Sequence, residues 1–133
     1  FHCAQAGQPL TCYLDENERL PMMSMHDAVR GAMELMEAPS KSIRIRTSYN
    51  LSGCDFTPCE LTRALQQRVP GFDTVYAPDH RQEIAASWPN SLDDSDARRD
   101  WGWSPRHDVQ GLVAHVLDGL TQQSRVDKPV VNM

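Results

Sequence analysis

Thr57-Pro58-Cys59-Glu60-Leu61-Thr62-Arg63-Ala64-Leu65-Gln66-Gln67-Arg68-Val69-Pro70-Gly71-Phe72-Asp73-Thr74-Val75-Tyr76 holds a helix start, a helix stop and a strand in one run. Thr57 is a good N-cap, because its hydroxyl can accept from an orphan amide of the first turn. Pro58 suits the first helical position, where no intrahelical N–H is needed, and Glu60 completes a capping box. Leu61, Ala64, Leu65 and Val69 recur at helical spacing and predict one buried stripe. Pro70-Gly71 stops the helix, and the β-branched Thr74-Val75-Tyr76 reads as a short strand. Helix followed directly by strand is the mark of an α/β arrangement.

Toward the C-terminus, Asp79 to Ser87 reads as a helix carrying Ile84, Ala85 and then Trp88. Pro89-Asn90 turns the chain. Ser95 caps a short helix through Trp101, with Gly102 as its stop. From about Asp108, the residues Val109, Leu112, Val113, Val116, Leu117 and Leu120 form a single apolar face. Arg125 to Met133 has no periodicity and reads as a loose tail.

Toward the N-terminus, Ile43-Arg44-Ile45-Arg46 alternates, and Thr47 to Leu51 continues it as a strand ended by Gly53. A helix starts at Ser24, with Asp27 three residues on in a capping-box-like relation. Ala28, Val29, Ala32, Met33, Leu35 and Met36 give it a broad apolar stripe, and Pro39 ends it. The methionines read as core filler, since flexible thioethers fit irregular gaps. Leu10 to Leu14 and Arg19 to Met23 read as short extended segments around an acidic turn. The first residues read as a helix end stopped by Gly7. Short strands thus alternate with helices, with no internal repeat and no convincing domain boundary.

Composition bounds the function. The chain of 133 residues is 40% hydrophobic and 23% charged, with a formal net charge of −5. Its length allows one domain with a real core. An acidic chain is a poor match for nucleic acid, whose phosphates demand a basic face. Arg44/Arg46 and Arg98/Arg99 read as solvated surface pairs. No run approaches the ~18 apolar residues of a membrane helix, so neither membrane nor nucleic acid is an expected partner. The four cysteines, 3, 12, 54 and 59, fit neither a redox C-x-x-C nor a paired zinc framework. They read as reduced thiols.

Generic chemical motifs are missing. The glycines are too scattered to cradle a pyrophosphate, and no P-loop or Gly-x-Ser-x-Gly elbow occurs. The five histidines, 2, 26, 80, 107 and 115, never pair with a Glu at metal-ligand spacing, so no metal ligands are predicted. His26 and His115 fall in helices and read as structural. No residue of this chain is predicted to be catalytic or cofactor-binding.

Longer strings carry a resemblance. Asn17-Glu18-Arg19-Leu20-Pro21-Met22-Met23-Ser24-Met25-His26-Asp27-Ala28 resembles the segment that enters the substrate domain of extended short-chain dehydrogenases. It is most similar to the Thr-Arg-Leu-Pro-Met-Met-Tyr-Met-x-Asp-Ala string of the L-threonine 3-dehydrogenase family. Arg46-Thr47-Ser48-Tyr49-Asn50-Leu51 and Phe56-Thr57-Pro58-x-Glu60 resemble that family's next strand and helix. Asp79-x-Arg81-Gln82-x-Ile84-Ala85-x-Ser87-Trp88-Pro89 and Asp93-Asp94-Ser95-x-Ala97-Arg98-x-Asp100-Trp101-Gly102-Trp103 resemble its last third. The strings occur in the family's order across roughly residues 10 to 120.

The resemblance implies the C-terminal, substrate-domain portion of an NAD-dependent oxidoreductase, with the Rossmann cofactor half absent. Residues 1–124 would be the substrate-binding segment and 125–133 the loose tail. The family oxidises L-threonine to 2-amino-3-ketobutyrate, using a Tyr-x-x-x-Lys pair to remove the hydroxyl proton. Tyr13, Tyr49 and Tyr76 are followed four residues on by Asn17, Gly53 and His80, never by Lys. The chain alone is therefore expected to be inactive and to bind no NAD.

Its implied partners are L-threonine or a similar small amino acid, and the missing Rossmann half or another chain supplying it. Arg19 matches the family's Arg and would hold the substrate carboxylate, the alternative being a salt bridge to Asp15 or Glu18. Trp88 would close over the threonine methyl, with hinge packing as its alternative, and Pro21 and Met22 would shape the entrance. Ser24 departs from the family's Tyr, so the loss of a packing or pocket contact is expected there. Trp101 and Trp103 read as structural. The implied location is cytoplasmic, or the mitochondrial matrix in an animal. Two other readings are a non-catalytic interaction module derived from the family and a fragment of a sugar-nucleotide epimerase.

Overall fold

A computed structural model describes residues 1–126 of the chain. The Thr57 signal forms as the sequence predicts. Helix α3 runs Pro58–Arg68, the Thr57 hydroxyl accepts from the Glu60 amide, and the Glu60 carboxylate accepts from the Thr57 amide. The other elements, in chain order, are α1 (His2–Gln5), β1 (Leu10–Cys12), β2 (Leu20–Met22), α2 (Met25–Glu37) and β3 (Cys54–Phe56) before α3. After it come β4 (Thr74–Tyr76), α4 (His80–Ala86), α5 (Ser95–Trp101) and α6 (Val109–Val126). The result is α/β, with two separate two-stranded sheets. β1 pairs with β4 in parallel, Leu10 opposite Thr74, and β2 pairs antiparallel with β3, Leu20 opposite Phe56.

The stripes of α3 and α6 meet to make the core. Ala64 and Leu65 from α3 pack with Val113 and Leu117 from α6, closed off by Ala4 and Phe72. Cys54 and Phe56 of β3 rest on Leu112 of the same helix. Gly102 ends α5 at φ 77°, the left-handed stop the sequence predicts, and the chain then delivers Trp103 inward. Trp103 is 1% exposed, and its indole N–H donates to the Ser52 carbonyl at 3.0 Å. Helix α6 continues through Val126, two residues past the end of the predicted segment. The remainder of the predicted tail, 127–133, lies outside the described residues.

Ser95 is the first residue of α5 rather than its cap, a place Asp94 takes without a side-chain cap bond. Two larger expectations are corrected. No strand forms over residues 43–51. A strand needs a neighbour's backbone, and this segment finds none among the described residues. It curls instead around the Tyr49 hydroxyl, which accepts from the amides of Arg44 and Ile45 and donates to Asp100 at 2.8 Å. Pairing starts only after Gly53, where a Cβ would stand 2.6 Å from the Met22 carbonyl oxygen. Gly53 therefore permits the close approach of β3 to β2.

The second correction concerns α2. Met25, Val29, Met33 and Met36 are 76%, 55%, 55% and 85% exposed, so these methionines do not fill the core. The face turned inward is Asp27 and Gly31, one turn apart. Gly31 admits Trp103, whose ring lies 2.9 Å from where a Cβ would be. Ser24, buried at 3% exposure, is the N-cap of α2 and accepts from the Asp27 amide.

Asp27 joins α2 to the approach of α6. Its side chain is fully enclosed. One carboxylate oxygen accepts from the Arg30 guanidinium at 2.9 Å. The other accepts from the backbone amides of Arg106 and His107 at 3.0 and 3.1 Å. Burial alone would raise this carboxyl's pKa. The donors from Arg30, Arg106 and His107 outweigh it and hold the pKa down to about 2.

Candidate functional site

Two segments distant in sequence make the wall of a recess of ≈ 280 Å³. Tyr13, Leu20 and Met22 come from β1, β2 and the turn between them, and Ile84 and Trp88 come from α4 and its end. The recess is open on its apolar side, with Trp88 53% and Ile84 55% exposed. It adjoins a second recess of ≈ 220 Å³ that shares Tyr13, Leu20 and Met22 and runs inward past Phe56 and Leu65.

Gln82 sets the position of α4. Its side-chain oxygen accepts from the Asp15 amide at 2.8 Å, and its amide donates to Glu18 at 2.6 Å. The acidic turn between β1 and β2 thus grips the helix that carries Trp88. Asp79 caps the same helix by accepting from the Arg81 amide. The Arg81 guanidinium lies 3.5 Å from the Tyr13 ring centroid while donating to both Asp79 oxygens, the shortest contact being 2.6 Å. The Arg81 side chain is the largest cause of an Asp79 pKa lowered to about 2. The only cation on the recess wall among the described residues is therefore already paired.

The four residues singled out from sequence divide. Met22 and Trp88 face one recess. Pro21 sits beside it on β2, opposite Asp55. Arg19 stands away from it, donating to the Glu60 carboxylate at 2.6 Å and the Asp55 carbonyl at 2.8 Å. Its ion-pair partner is Glu60 rather than Asp15 or Glu18. The Glu60 pKa is lowered first by the Thr57 amide and then by Arg19, so the cation reinforces the capping box. Sequence reasoning missed Tyr13, Leu20, Ile84 and Arg81 as recess residues. Their spacing carries no signal, because the wall forms only once α4 is pinned to the β1–β2 turn.

No protein-family model matches the chain. Curated relatives do. The bovine mitochondrial L-threonine 3-dehydrogenase is 43% identical over 127 residues, covering 95% of this chain and 34% of the relative. A solved structure of a GalE-like L-threonine dehydrogenase from Cupriavidus necator is 50% identical with a TM-score of 0.86. That match covers 90% of this chain and 43% of the other. This chain matches the C-terminal part of the L-threonine 3-dehydrogenases. An uncharacterised epimerase/dehydratase from Staphylococcus haemolyticus, 35% identical over 126 residues, marks the wider group. The chain spans about a third of the length of the curated relatives it matches and corresponds to their C-terminal part.

The dehydrogenase family implies NAD, and the described residues do not fit it. A pyrophosphate needs a glycine-rich turn from a strand into a helix N-terminus. The glycines with positive φ here, Gly7, Gly71 and Gly102, all lie just past helix C-termini instead. Of the three tyrosines, Tyr13 lies beneath the Arg81 guanidinium and the other two are bonded elsewhere. Tyr49 is committed to Asp100, and the Tyr76 hydroxyl donates to Thr62. Burial also pushes the Tyr76 pKa up, the wrong direction for removing a proton near neutrality. No helix among the described residues is long and apolar enough to cross a membrane.

Proposed function

We propose that this chain supplies the substrate-side wall of an enzyme that oxidises the 3-hydroxyl of L-threonine, yielding 2-amino-3-ketobutyrate. The hydride acceptor, NAD, and the proton-removing Tyr-x-x-x-Lys pair belong to a Rossmann half that another polypeptide segment provides. The observation that carries this reading is the meeting of Met22 and Trp88 on one open recess, in a chain whose solved relatives are threonine dehydrogenases. Trp88 covers the substrate methyl, Met22 forms the floor and Pro21 shapes the entrance. Arg19 stands outside that recess, so it would reach the substrate carboxylate only by releasing Glu60, a half-exposed partner that holds it weakly. By itself the chain binds no NAD and turns over no substrate.

The open surfaces support a second half. The exposed apolar face of α2 is larger than isolated surface residues would make it, and such faces mark docking sites. The reading places the protein in the cytoplasm, or in the matrix of an animal mitochondrion as the bovine relative's name has it. The rival reading, a non-catalytic interaction module, draws on the same exposed face.

The test joins this chain to a cofactor-binding half and follows NADH formation with threonine. Trp88→Ala should lower kcat/KM for threonine by about tenfold or more, the size of one well-filled apolar contact, while NAD affinity stays the same. Arg19→Ala should also reduce turnover. Unchanged turnover in both variants refutes the pocket. Calorimetry of the isolated chain should give no heat with NAD, and measurable binding would refute the division of labour.

A further inference from the structure

Three histidines that are far apart in sequence meet in the fold. His26 is in the first turn of α2, His107 lies just before α6, and His115 is on α6. Their ring centroids form a closed triangle, 5.6 Å from His26 to His107, 5.8 Å from His26 to His115 and 5.2 Å from His107 to His115. Ligand atoms of His26, His107 and Asp27 all lie within 4.8 Å of one another, whereas His115 joins the group through its ring position and must turn its nitrogen inward to complete it. This group lies apart from the recess of Met22 and Trp88, and the dehydrogenase reading gives it no task.

We propose that His26, His107 and His115 form a binding site for a borderline divalent cation such as Zn²⁺, with Asp27 orienting His107 from behind. A ring nitrogen stands about 1.1 Å from its own centroid, and metal–nitrogen bonds are about 2.0–2.1 Å, so two imidazoles on one tetrahedral ion have centroids about 5 Å apart. The observed separations are only slightly longer. His26 and His115 are exposed, so their rings can turn inward without unpacking a core. Imidazole donors select zinc, copper, nickel and cobalt over magnesium and calcium, which prefer oxygen.

The arrangement behind His107 matches what metal-binding imidazoles need. Its Nδ1 is 3.2 Å from the Asp27 carboxylate and 3.2 Å from the Ser24 hydroxyl. A proton on Nδ1 directed at Asp27 leaves the lone pair of Nε2 free for the ion and raises its basicity. Asp27 is itself fixed by Arg30 and two backbone amides, so it cannot swing away. Glu34 and Glu37 line the adjoining hollow with His26 and His115, alongside Arg30 and Arg106. Arg30 is already neutralised by Asp27 and Glu34. Three imidazoles leave a fourth position, open in this chain and bordered by Met25, Val29 and Met33 of the face that the proposed second half would meet.

The test titrates the full chain with Zn²⁺ by calorimetry and with Co²⁺ by visible absorption. One ion per chain, with the intense d–d bands of a tetrahedral cobalt site, is expected. His26→Asn and His115→Asn replace exposed side chains, so both variants should keep the wild-type circular dichroism. Each should weaken Zn²⁺ binding by at least about tenfold, the lower end of what even an orienting partner contributes. His80→Asn, an exposed histidine outside the triangle, should change nothing. Absence of saturable binding overturns the proposal. So does binding that survives both substitutions or that falls equally with His80→Asn.

Discussion

Replacing Asp27 with Ala removes the single carboxylate that holds α2 to the approach of α6. In the native fold its two oxygens accept from the Arg30 guanidinium, the Arg106 and His107 amides and the His107 ring. Two backbone donors lose their partner, at about 1–3 kcal/mol for each that remains buried. Arg30 keeps Glu34 and the Ser104 carbonyl, which limits its share. The sum is about 3–5 kcal/mol, the usual result of breaking one side of an enclosed ion pair. For a chain with a urea m-value of roughly 1.5–2 kcal/mol/M, the unfolding midpoint falls by about 2 M. Asp27→Asn keeps an acceptor for the two amides and opposes an amide NH₂ to Arg30, so about half of that loss is expected. Urea unfolding followed by tryptophan fluorescence measures both. A shift below about 0.5 M at unchanged m-value for the Ala variant would refute the reasoning.

Gly31→Ala should destabilise although alanine favours helix. The new methyl stands 2.6 Å from the Leu51 side chain and 2.9 Å from the Trp103 ring. Leu51 can swing aside and the enclosed Trp103 cannot, so overpacking of about 1–3 kcal/mol exceeds a propensity gain of about 1 kcal/mol. A rise in thermal midpoint would contradict this. Asp100 predicts an acid response. Arg99 first, then the Tyr49 hydroxyl, holds its carboxyl below the ordinary value of 3.8 despite burial. A lowered folded pKa adds stability above the unfolded pKa, and that stability is lost as pH falls through the folded value. Between about pH 5 and about pH 3 the urea midpoint should therefore drop further in the native protein than in Asp100→Asn. Equal slopes would remove Asp100 as a source of acid sensitivity.

What was legible in the sequence was local or periodic. Thr57, Pro58 and Glu60 announce α3 because a capping box involves only neighbours in the chain. The face of α6 is legible because its apolar residues from Val109 to Leu120 repeat one pattern over a core they themselves help define. Residues 43–51 alternate like a strand, but alternation cannot say whether a partner strand is present. The stripe of α2 is as regular as that of α6. Periodicity identifies an apolar face without saying whether this chain or another covers it. Family resemblance singles out Met22 and Trp88, which the fold brings to one recess, whereas Arg81 and Tyr13 join them only through the Gln82 and Asp79 contacts. Nothing in the spacing of residues 26, 107 and 115 foretells their triangle, because three separate segments must pack before it exists.

If the α2 face meets a cofactor-binding half as proposed, its outward thioethers would also report that assembly. Met25, Met33 and Met36 stand within reach of peroxide, and conversion to the sulfoxide turns a pliant apolar surface into a polar one. A copy without its other half should take up oxygen at these three positions readily, and a covered copy should resist. The same chemistry, read by mass spectrometry, would separate orphaned from completed molecules in a mixture. Lasting oxidative exposure before assembly would leave a surface less able to be covered at all.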